Sequence, residues 1–73
     1  MLIPMNLAHE GNIVEVKSVS MKEGLNKRLG ELGIVSGNKI KIVKNDGRSL
    51  IISIKESRFA LDNNIARNVL IAV

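Results

Sequence analysis

Three glycines lie within eight residues of this 73-residue chain, in residues 30–37, where a helical pattern gives way to strand patterns. The pattern predicts a helix over residues 21–32. Gly33 then falls directly after the helix end, where a left-handed backbone conformation is favourable for glycine alone. The amide of Ile34 would bond the carbonyl of Leu29, which is the Schellman arrangement for ending a helix. The glycines therefore predict a sharp corner between one helix and the strands that follow it.

The helix prediction depends on apolar residues with helical spacing. They recur at intervals of four, four and three residues, which places them on one face toward the core. Ser20 and Glu23 have the spacing of a capping box, in which a hydroxyl and a carboxylate bond backbone donors at the helix start. Gly24 and Gly30 each cost about 0.8–1 kcal/mol relative to alanine, so we expect tertiary packing to hold the helix and a close backbone neighbour to explain Gly30. The apolar stripe consists of Met21, Leu25, Leu29 and Leu32.

Alternation of apolar and polar residues predicts five strands around this helix. The turn sequence of residues 45–47 pairs the second and third strands as a hairpin. Residues 1–7 are interrupted by Pro4, so we expect an extended arm whose Leu7 fills one end of the core. Residues 62–64 are typical of a turn that carries one turn of 3₁₀ helix. The predicted strands cover residues 13–19, 38–44, 50–55 and 58–61, and a last strand that starts at residue 67 or 68 and ends at residue 73.

These elements favour a mainly β fold with one α-helix between strands 1 and 2. Five short antiparallel strands avoid exposed edges when the sheet closes on itself. The predicted architecture is therefore a small five-stranded antiparallel barrel, in one domain at residues 1–73.

Composition restricts the classes of function. The chain contains no cysteine, which excludes disulfides, thiolate metal sites and a cysteine nucleophile and favours a cytoplasmic location. No segment reaches the roughly 20 apolar residues of a membrane span. We therefore expect neither a signal peptide nor membrane insertion.

The titratable residues form no recognisable catalytic or metal-binding pattern. His9 is the single histidine, and Glu10 is its one adjacent companion ligand. A structural transition-metal site uses three or four protein donors, so we interpret both as surface residues, with a surface metal site as the weaker alternative. No convincing triad can be built on His9, and the glycines lack the Lys-Ser or Lys-Thr pair of a phosphate loop. The sequence predicts no enzyme activity, no cofactor and no dedicated metal site.

Basic residues keep nucleic acid binding open as an alternative. Eleven Lys and Arg against seven Asp and Glu give a net charge of +4, and Lys39, Lys41 and Lys44 share one predicted strand. A nucleic acid site combines such a stripe with aromatic stacking platforms, whereas Phe59 is the single aromatic residue. A solvated lysine face is the preferred interpretation.

Apolar residues outnumber the positions that one small interior offers under strict alternation. Some of them should be exposed and mark a docking surface. The residues in question are Ile34, Val35, Ile51, Phe59 and Leu70.

Taken in order, these features resemble the FeoA family, the small cytosolic accessory proteins of bacterial ferrous iron uptake. The resemblance spans essentially the whole chain. It depends on the Leu-Gly-Glu-Leu-Gly-Ile sequence of residues 29–34 with Gly37 after it, and on the hairpin that leads to residues 52–54. It also depends on the Phe-Ala-Leu-Asp sequence of residues 59–62, with an Ile-Ala pair at residues 65–66 before the last strand.

The resemblance implies an SH3-like barrel without catalytic residues and a partner protein, the membrane ferrous iron transporter FeoB with its cytosolic GTP-binding domain. It implies docking on the cytosolic side of FeoB, to modulate, gate or assemble the transporter. An arginine supplied in trans can assist GTP hydrolysis. Arg28 is the candidate, although a surface arginine that pairs with Glu31 or solvent is the preferred interpretation. We expect the docking surface on the helix and corner, at Lys27, Arg28, Glu31, Ile34 and Val35.

Two other functions remain open. One is an SH3-like regulatory domain of the iron-dependent repressor type, against which the missing DNA-binding helices count. The other is a small basic nucleic-acid-binding barrel, whose binding would weaken steeply with salt.

Overall fold

Six antiparallel strands form one curled sheet around an aliphatic core. The computed structural model describes the backbone of residues 1–73 and every side chain except that of Glu23. The sheet order is β1-β6-β2-β3-β4-β5. A 3₁₀ turn at Met5–Leu7 follows β1 and a short helix precedes β6. The elements are β1 (Leu2–Pro4), β2 (Ile13–Val19), α1 (Glu23–Leu32), β3 (Lys39–Asn45), β4 (Ser49–Ile54), β5 (Ser57–Asp62), α2 (Asn63–Ala66) and β6 (Val69–Ala72).

The mainly β architecture with a helix after the first long strand is confirmed, but two details of the predicted barrel differ. The predicted arm contains a sixth strand, β1, in which Ile3 pairs with Ile71 of β6. Pro4 is compatible with this strand because β1 lies at the sheet edge, where a missing N–H removes no ladder bond. The sheet also does not close, since β1 and β5 are the two ends of the strand order.

The curl of the sheet comes from two β-bulges. In β2, Val16 opposes Ile71 and Ser18 opposes Leu70, which leaves Lys17 as the extra residue. The register of β3 against β4 shifts in the same way at Val43. A bulge bends its strand and increases the local twist. The two bends wrap the sheet around its interior.

The core is aliphatic, and no described polar or charged residue is buried in it. The predicted role of Leu7 is wrong: its side chain is 59% exposed, and Met5 is fully buried instead. The 3₁₀ turn causes this difference, because it replaces the two-residue alternation that the extended arm would have had. The buried residues are Met5, Ala8, Val14, Val16, Leu29, Ile34, Ile40, Ile42, Leu50, Ile52, Ile54, Leu61, Ala66, Val69 and Ile71.

The start of α1 differs from the predicted capping box. The cap position is Lys22, which has an extended backbone and makes no side-chain cap hydrogen bond. The amide of Ser20 instead donates to the carbonyl of Asn68 at 2.8 Å, so Ser20 continues the pairing of β2 toward β6. The Glu23 carboxylate of the predicted box lies outside the described side chains. The Ser20 cap is therefore wrong.

The segment between β5 and β6 forms one α-helical turn where a 3₁₀ turn was predicted. The carboxylate of Asp62 accepts the N–H of Asn64 at 2.8 Å and caps this turn. The side-chain amide of Asn68 donates to the carbonyl of Asn64 at 2.9 Å. Because these contacts extend the turn, the last strand begins later in the chain than predicted, at Val69.

Candidate partner-binding site

The end of α1 has the predicted Schellman geometry. Gly33 is left-handed at φ 101° and ψ 5°. The N–H of Ile34 donates to the carbonyl of Leu29 at 2.9 Å, and the N–H of Gly33 donates to the carbonyl of Gly30 at 3.0 Å. The predicted helix stop is confirmed.

Polar contacts that the sequence analysis missed fix this corner to the sheet. The side-chain amide of Asn38 donates to the carbonyl of Gly33 at 2.8 Å. The hydroxyl of Ser36 donates to the carbonyl of Lys17 at 3.0 Å, and the amide of Gly37 donates to the carbonyl of Val16 at 2.8 Å. A polar residue shortly after a helix stop is a weak signal, because its partner is set by the tertiary structure. These bonds hold the end of α1 against β2 and β3.

The glycine in the last turn of α1 has a different explanation from the predicted one. A Cβ atom at Gly30 would lie 3.5 Å from Cγ1 of Val35, which is ordinary van der Waals contact with a side chain. The predicted close approach of another backbone is therefore wrong.

Four of the five predicted docking residues are accessible. The side chains of Lys27, Arg28 and Glu31 are exposed on α1, and Val35 is 40% exposed. Ile34 is 1% exposed, so it cannot form part of an outer surface in this conformation. The reason is the helix stop itself, which turns Ile34 into the core. Binding through the other four remains a prediction.

Two clefts border α1, and two of the predicted docking residues line different clefts. The corner cleft, of about 250 Å³, includes Glu31, and the edge groove, of about 350 Å³, includes Arg28. Leu25 and Leu32 were predicted to face the core; both are half-buried and line the edge groove, and Leu32 also packs against the core. The corner cleft is lined by Gly30, Glu31, Leu32, Gly33, Asn38, Ile54, Lys55 and Ser57. The edge groove is lined by Leu25, Arg28, Leu29, Leu32, Ala60, Leu61 and Ile65.

The charges around the clefts are not neutralised by one another. Among the described side chains, the one ion pair joins Lys17 Nζ to Glu15 Oε2 at 2.9 Å on β2. The hydrogen bond and charge of Lys17 lower the pKa of the Glu15 carboxyl. Of the two surface interpretations of Arg28, pairing with Glu31 is therefore not observed among the described side chains, and the exposed guanidinium faces solvent.

The two candidate surface ligands, His9 and Glu10, do not belong to a cluster of metal-binding side chains. Glu10 Oε1 accepts the backbone N–H of Asn45 at 2.8 Å, and His9 is exposed. Within the part of the chain whose side chains are described, no three His, Asp or Glu residues gather as a metal would require. The absence of a dedicated metal site stays a prediction.

The lysine stripe lacks an aromatic neighbour that could stack on a base. Lys39, Lys41 and Lys44 are exposed on β3, whereas Phe59 is half-buried and packs against the core. Base stacking needs an accessible ring face. The structure thus favours the solvated lysine face.

Among the described residues, neither of the two helices is long and apolar enough to cross a lipid bilayer.

Comparison with known proteins assigns the family. The family model described as the FeoA domain matches residues 3–73. The chain belongs to the FeoA domain family. It is 33% identical over 70 residues to a Methanocaldococcus jannaschii protein named Fe(2+) transport protein A, and the match covers 96% of this chain and 85% of that protein.

Solved structures of FeoA proteins share the fold. A crystal structure of an iron uptake regulatory protein, FeoA, superposes with a TM-score of 0.90 at 22% identity over 97% of this chain and 96% of that one. The zinc complex of Stenotrophomonas maltophilia FeoA, described as a prokaryotic SH3 domain protein, gives a TM-score of 0.80 at 27% identity over 99% and 89% of the two chains. The resemblance to the FeoA family and the SH3-like fold are confirmed.

The fold also occurs within a larger protein. The T. acidophilum IdeR structure gives a TM-score of 0.88 at 12% identity, and the match covers 99% of this chain and 34% of that protein. Identity this low shows the fold alone. The chain spans about a third of that protein.

Proposed function

We propose that this FeoA-family chain is a non-catalytic accessory protein of ferrous iron uptake. It docks on the cytosolic side of a FeoB-type transporter and modulates or assembles it. The observation that carries the proposal is the FeoA domain match over residues 3–73. The named iron transport function of the M. jannaschii relative supports it, as does the suggestion that S. maltophilia FeoA acts as a bacterial ferrous iron transport activating factor.

The form of the described surface supports a binding role. The described core holds no polar or charged side chain, so the chemistry of the chain is on its exterior. Three charged residues of α1, Lys27, Arg28 and Glu31, are exposed, and Arg28 and Glu31 each line one of the two clefts. Together with Val35 they form the docking surface that we propose. Docking on the cytosolic side of the transporter implies that the chain acts in the cytoplasm.

The repressor alternative lacks a DNA-reading element among the described residues. The helices are α1, with 10 residues, and α2, with 4 residues, and α1 is held at its end by the sheet. A helix-turn-helix reader needs two adjoining helices of which one enters the major groove. The transporter partner is therefore the function we put forward.

Co-purification with the full-length transporter tests the proposal, in the presence and absence of guanine nucleotides. Arg28→Glu should lower the recovered complex, because it places an acid where the partner meets a cation. Lys41→Glu is the matched control, since it makes the same charge change on the exposed face of β3. Full binding and iron uptake by Arg28→Glu would exclude this surface, and no complex with the unmodified chain would overturn the proposal.

Arg28→Lys separates docking from assistance to GTP hydrolysis. Lysine keeps the charge but lacks the planar guanidinium that contacts a transferring phosphoryl group. A variant that binds normally yet fails to raise the rate of GTP hydrolysis would assign Arg28 a role in that step. Equal stimulation by both proteins would restrict Arg28 to docking.

A further inference from the structure

The outer side of β5 is an open sheet edge with unused backbone groups. β5 is the last strand in the sheet order. The N–H of Asn63 donates to the carbonyl of Arg48 at 3.0 Å, and hydrogen bonding alternates along an antiparallel ladder. Residues 57, 59 and 61 therefore direct their backbone groups toward β4. The N–H and C=O groups of Arg58 and Ala60 point to the open side.

The edge groove lies between this strand and α1. Ala60 and Leu61 form its wall on β5, Leu25 and Leu32 form its wall on α1, and Ile65 of α2 completes it. Its volume of about 350 Å³ is that of a shallow site for one large side chain. A strand paired with Ala60 would direct alternate side chains to the face that carries Leu61, which is the face of the groove.

The positive charge beside the edge groove favours a negatively charged ligand. Arg28 is the one charged residue in its described lining. No described acid pairs with Arg28, and the chain carries a net charge of +4. An acidic side chain two residues from an apolar anchor lies on the same face of an extended peptide.

From these observations we infer that β5 and the edge groove bind an extended peptide segment of a partner protein by strand addition, with one large aliphatic side chain in the groove and an acidic residue beside Arg28. Main-chain bonds to Arg58 and Ala60 hold the segment, and the groove and Arg28 select it. This inference goes beyond the proposed function, because it concerns the kind of segment bound and holds for any protein that carries it.

A heptapeptide titration followed by two-dimensional ¹H–¹⁵N and methyl NMR tests the inference on the full chain. The probe is Thr-Glu-Thr-Leu-Thr-Glu-Thr, in which Leu and both Glu residues share one face. It should shift the amides of Arg58 and Ala60 and the methyl groups of Leu25, Leu32 and Ile65. The matched control Thr-Lys-Thr-Leu-Thr-Lys-Thr should bind about tenfold more weakly, which corresponds to the loss of one charge-assisted contact.

Two modifications separate strand addition from unspecific adhesion. Ala60→Pro removes the outward N–H at an edge position where proline is tolerated and should abolish binding, whereas Ala60→Ser should not. N-methylation of alternate amides of the peptide gives a second measurement on the unmodified protein. One of the two alternate sets should abolish binding and the other should leave it unchanged.

The charge preference provides the last arm of the test. Arg28→Glu should make the lysine peptide the tighter ligand. Shifts located elsewhere, equal loss from both N-methylated sets, or no binding by any of these peptides would overturn the inference. Such a result leaves the transporter proposal intact, because that proposal is tested by complex formation with the full-length transporter.

Discussion

The hairpin of β3 and β4 and the helix α1 are built in opposite ways. In the hairpin, Ile42, Leu50 and Ile52 are fully buried. The carboxylate of Asp46 accepts the amides of Arg48 and Ser49 at its turn, each at 2.9 Å. In α1, Leu29 is the one described side chain that is buried, and a cleft lies on each side of the helix.

This difference separates the stable part of the molecule from its binding part. Stability is concentrated where apolar side chains are removed from water and backbone groups are paired. Clefts with exposed charges are sites where a partner can displace water and add contacts. The hairpin thus supports the fold, and α1 with β5 presents the surface that we propose for binding.

Core truncation should show the largest contrast between the two regions. Ile52→Ala should lower the free energy of unfolding by about 4 kcal/mol, because it empties a fully enclosed site. Leu29→Ala should cost about 2 kcal/mol, near the lower end of the usual range, since the edge groove allows its surroundings to relax. Urea unfolding of both variants measures the difference, and equal losses would refute the comparison.

Alanine substitution at two left-handed glycines tests the corner itself. Gly33→Ala should cost about 2–3 kcal/mol and Gly37→Ala about 1–2 kcal/mol, because both residues have positive φ. A Cβ atom at Gly33 would lie 3.0 Å from Cγ2 of Ile54, whereas a Cβ atom at Gly37 would have no other heavy atom within 4 Å outside its own chain neighbours. The difference between the two variants in thermal and urea unfolding measures the cost of the additional contact with Ile54. Near-normal stability of Gly33→Ala would refute the helix stop as a stabilising element.

The glycine in the last turn of α1 should give a smaller effect of opposite sign. Gly30→Ala should raise stability by about 0.5–1 kcal/mol, because alanine favours the helix and the contact with Val35 is not strained. Gly24→Ala is the matched substitution near the helix start, where space is also open and a smaller gain is expected. A loss of stability in Gly30→Ala would show that α1 is packed more tightly than the clefts indicate.

The hairpin turn should give the smallest effect, seen in the dependence of stability on pH. Hydrogen bonds from the amides of Ser49 and Arg48 lower the pKa of the Asp46 carboxyl below its ordinary value of 3.8. A carboxyl whose pKa is lowered by folding stabilises the folded state at pH values above its ordinary pKa. This contribution is lost as the pH falls through the lowered pKa of the folded state. Asp46→Asn should therefore be less stable than the unmodified chain at neutral pH, with the gap closing in acid. A gap that is independent of pH would show that the Asp46 charge does not stabilise the turn.

Local signals predicted much of the fold. The hairpin was predicted because apolar residues recur at every second position on both sides of a turn sequence, at Ile40 and Ile42 and at Leu50, Ile52 and Ile54. The stop at Gly33 was predicted because one residue type fits that backbone. The start of α1 was missed because Ser20 satisfies a capping pattern, while its amide is taken by Asn68 in a pairing 48 positions away. The strand β1 was missed because proline is compatible with a strand at a sheet edge but not inside a sheet, and the sequence does not show where the strand lies.

The candidate site was predicted less completely than the fold. The sequence located exposed charges at Lys27, Arg28 and Glu31, since these alternate with the apolar stripe of α1. It could not show that Arg28 and Glu31 border different clefts, or that Ala60 and Ile65 form a groove with Leu25. These residues come from three separate elements. Their meeting depends on how the sheet curls.

The sequence by itself determined the class of this protein: an aliphatic, mainly β chain with a helix that ends at Gly33. Those properties follow from composition, periodicity and single-residue backbone preferences, which act between neighbours, whereas the family was indicated by the resemblance of its motifs to FeoA proteins. The open edge at β5, the burial of Ile34 and the groove beside Arg28 were decided by the tertiary structure. They depend on bulges, register and long-range hydrogen bonds, and these arise only when distant segments pack together.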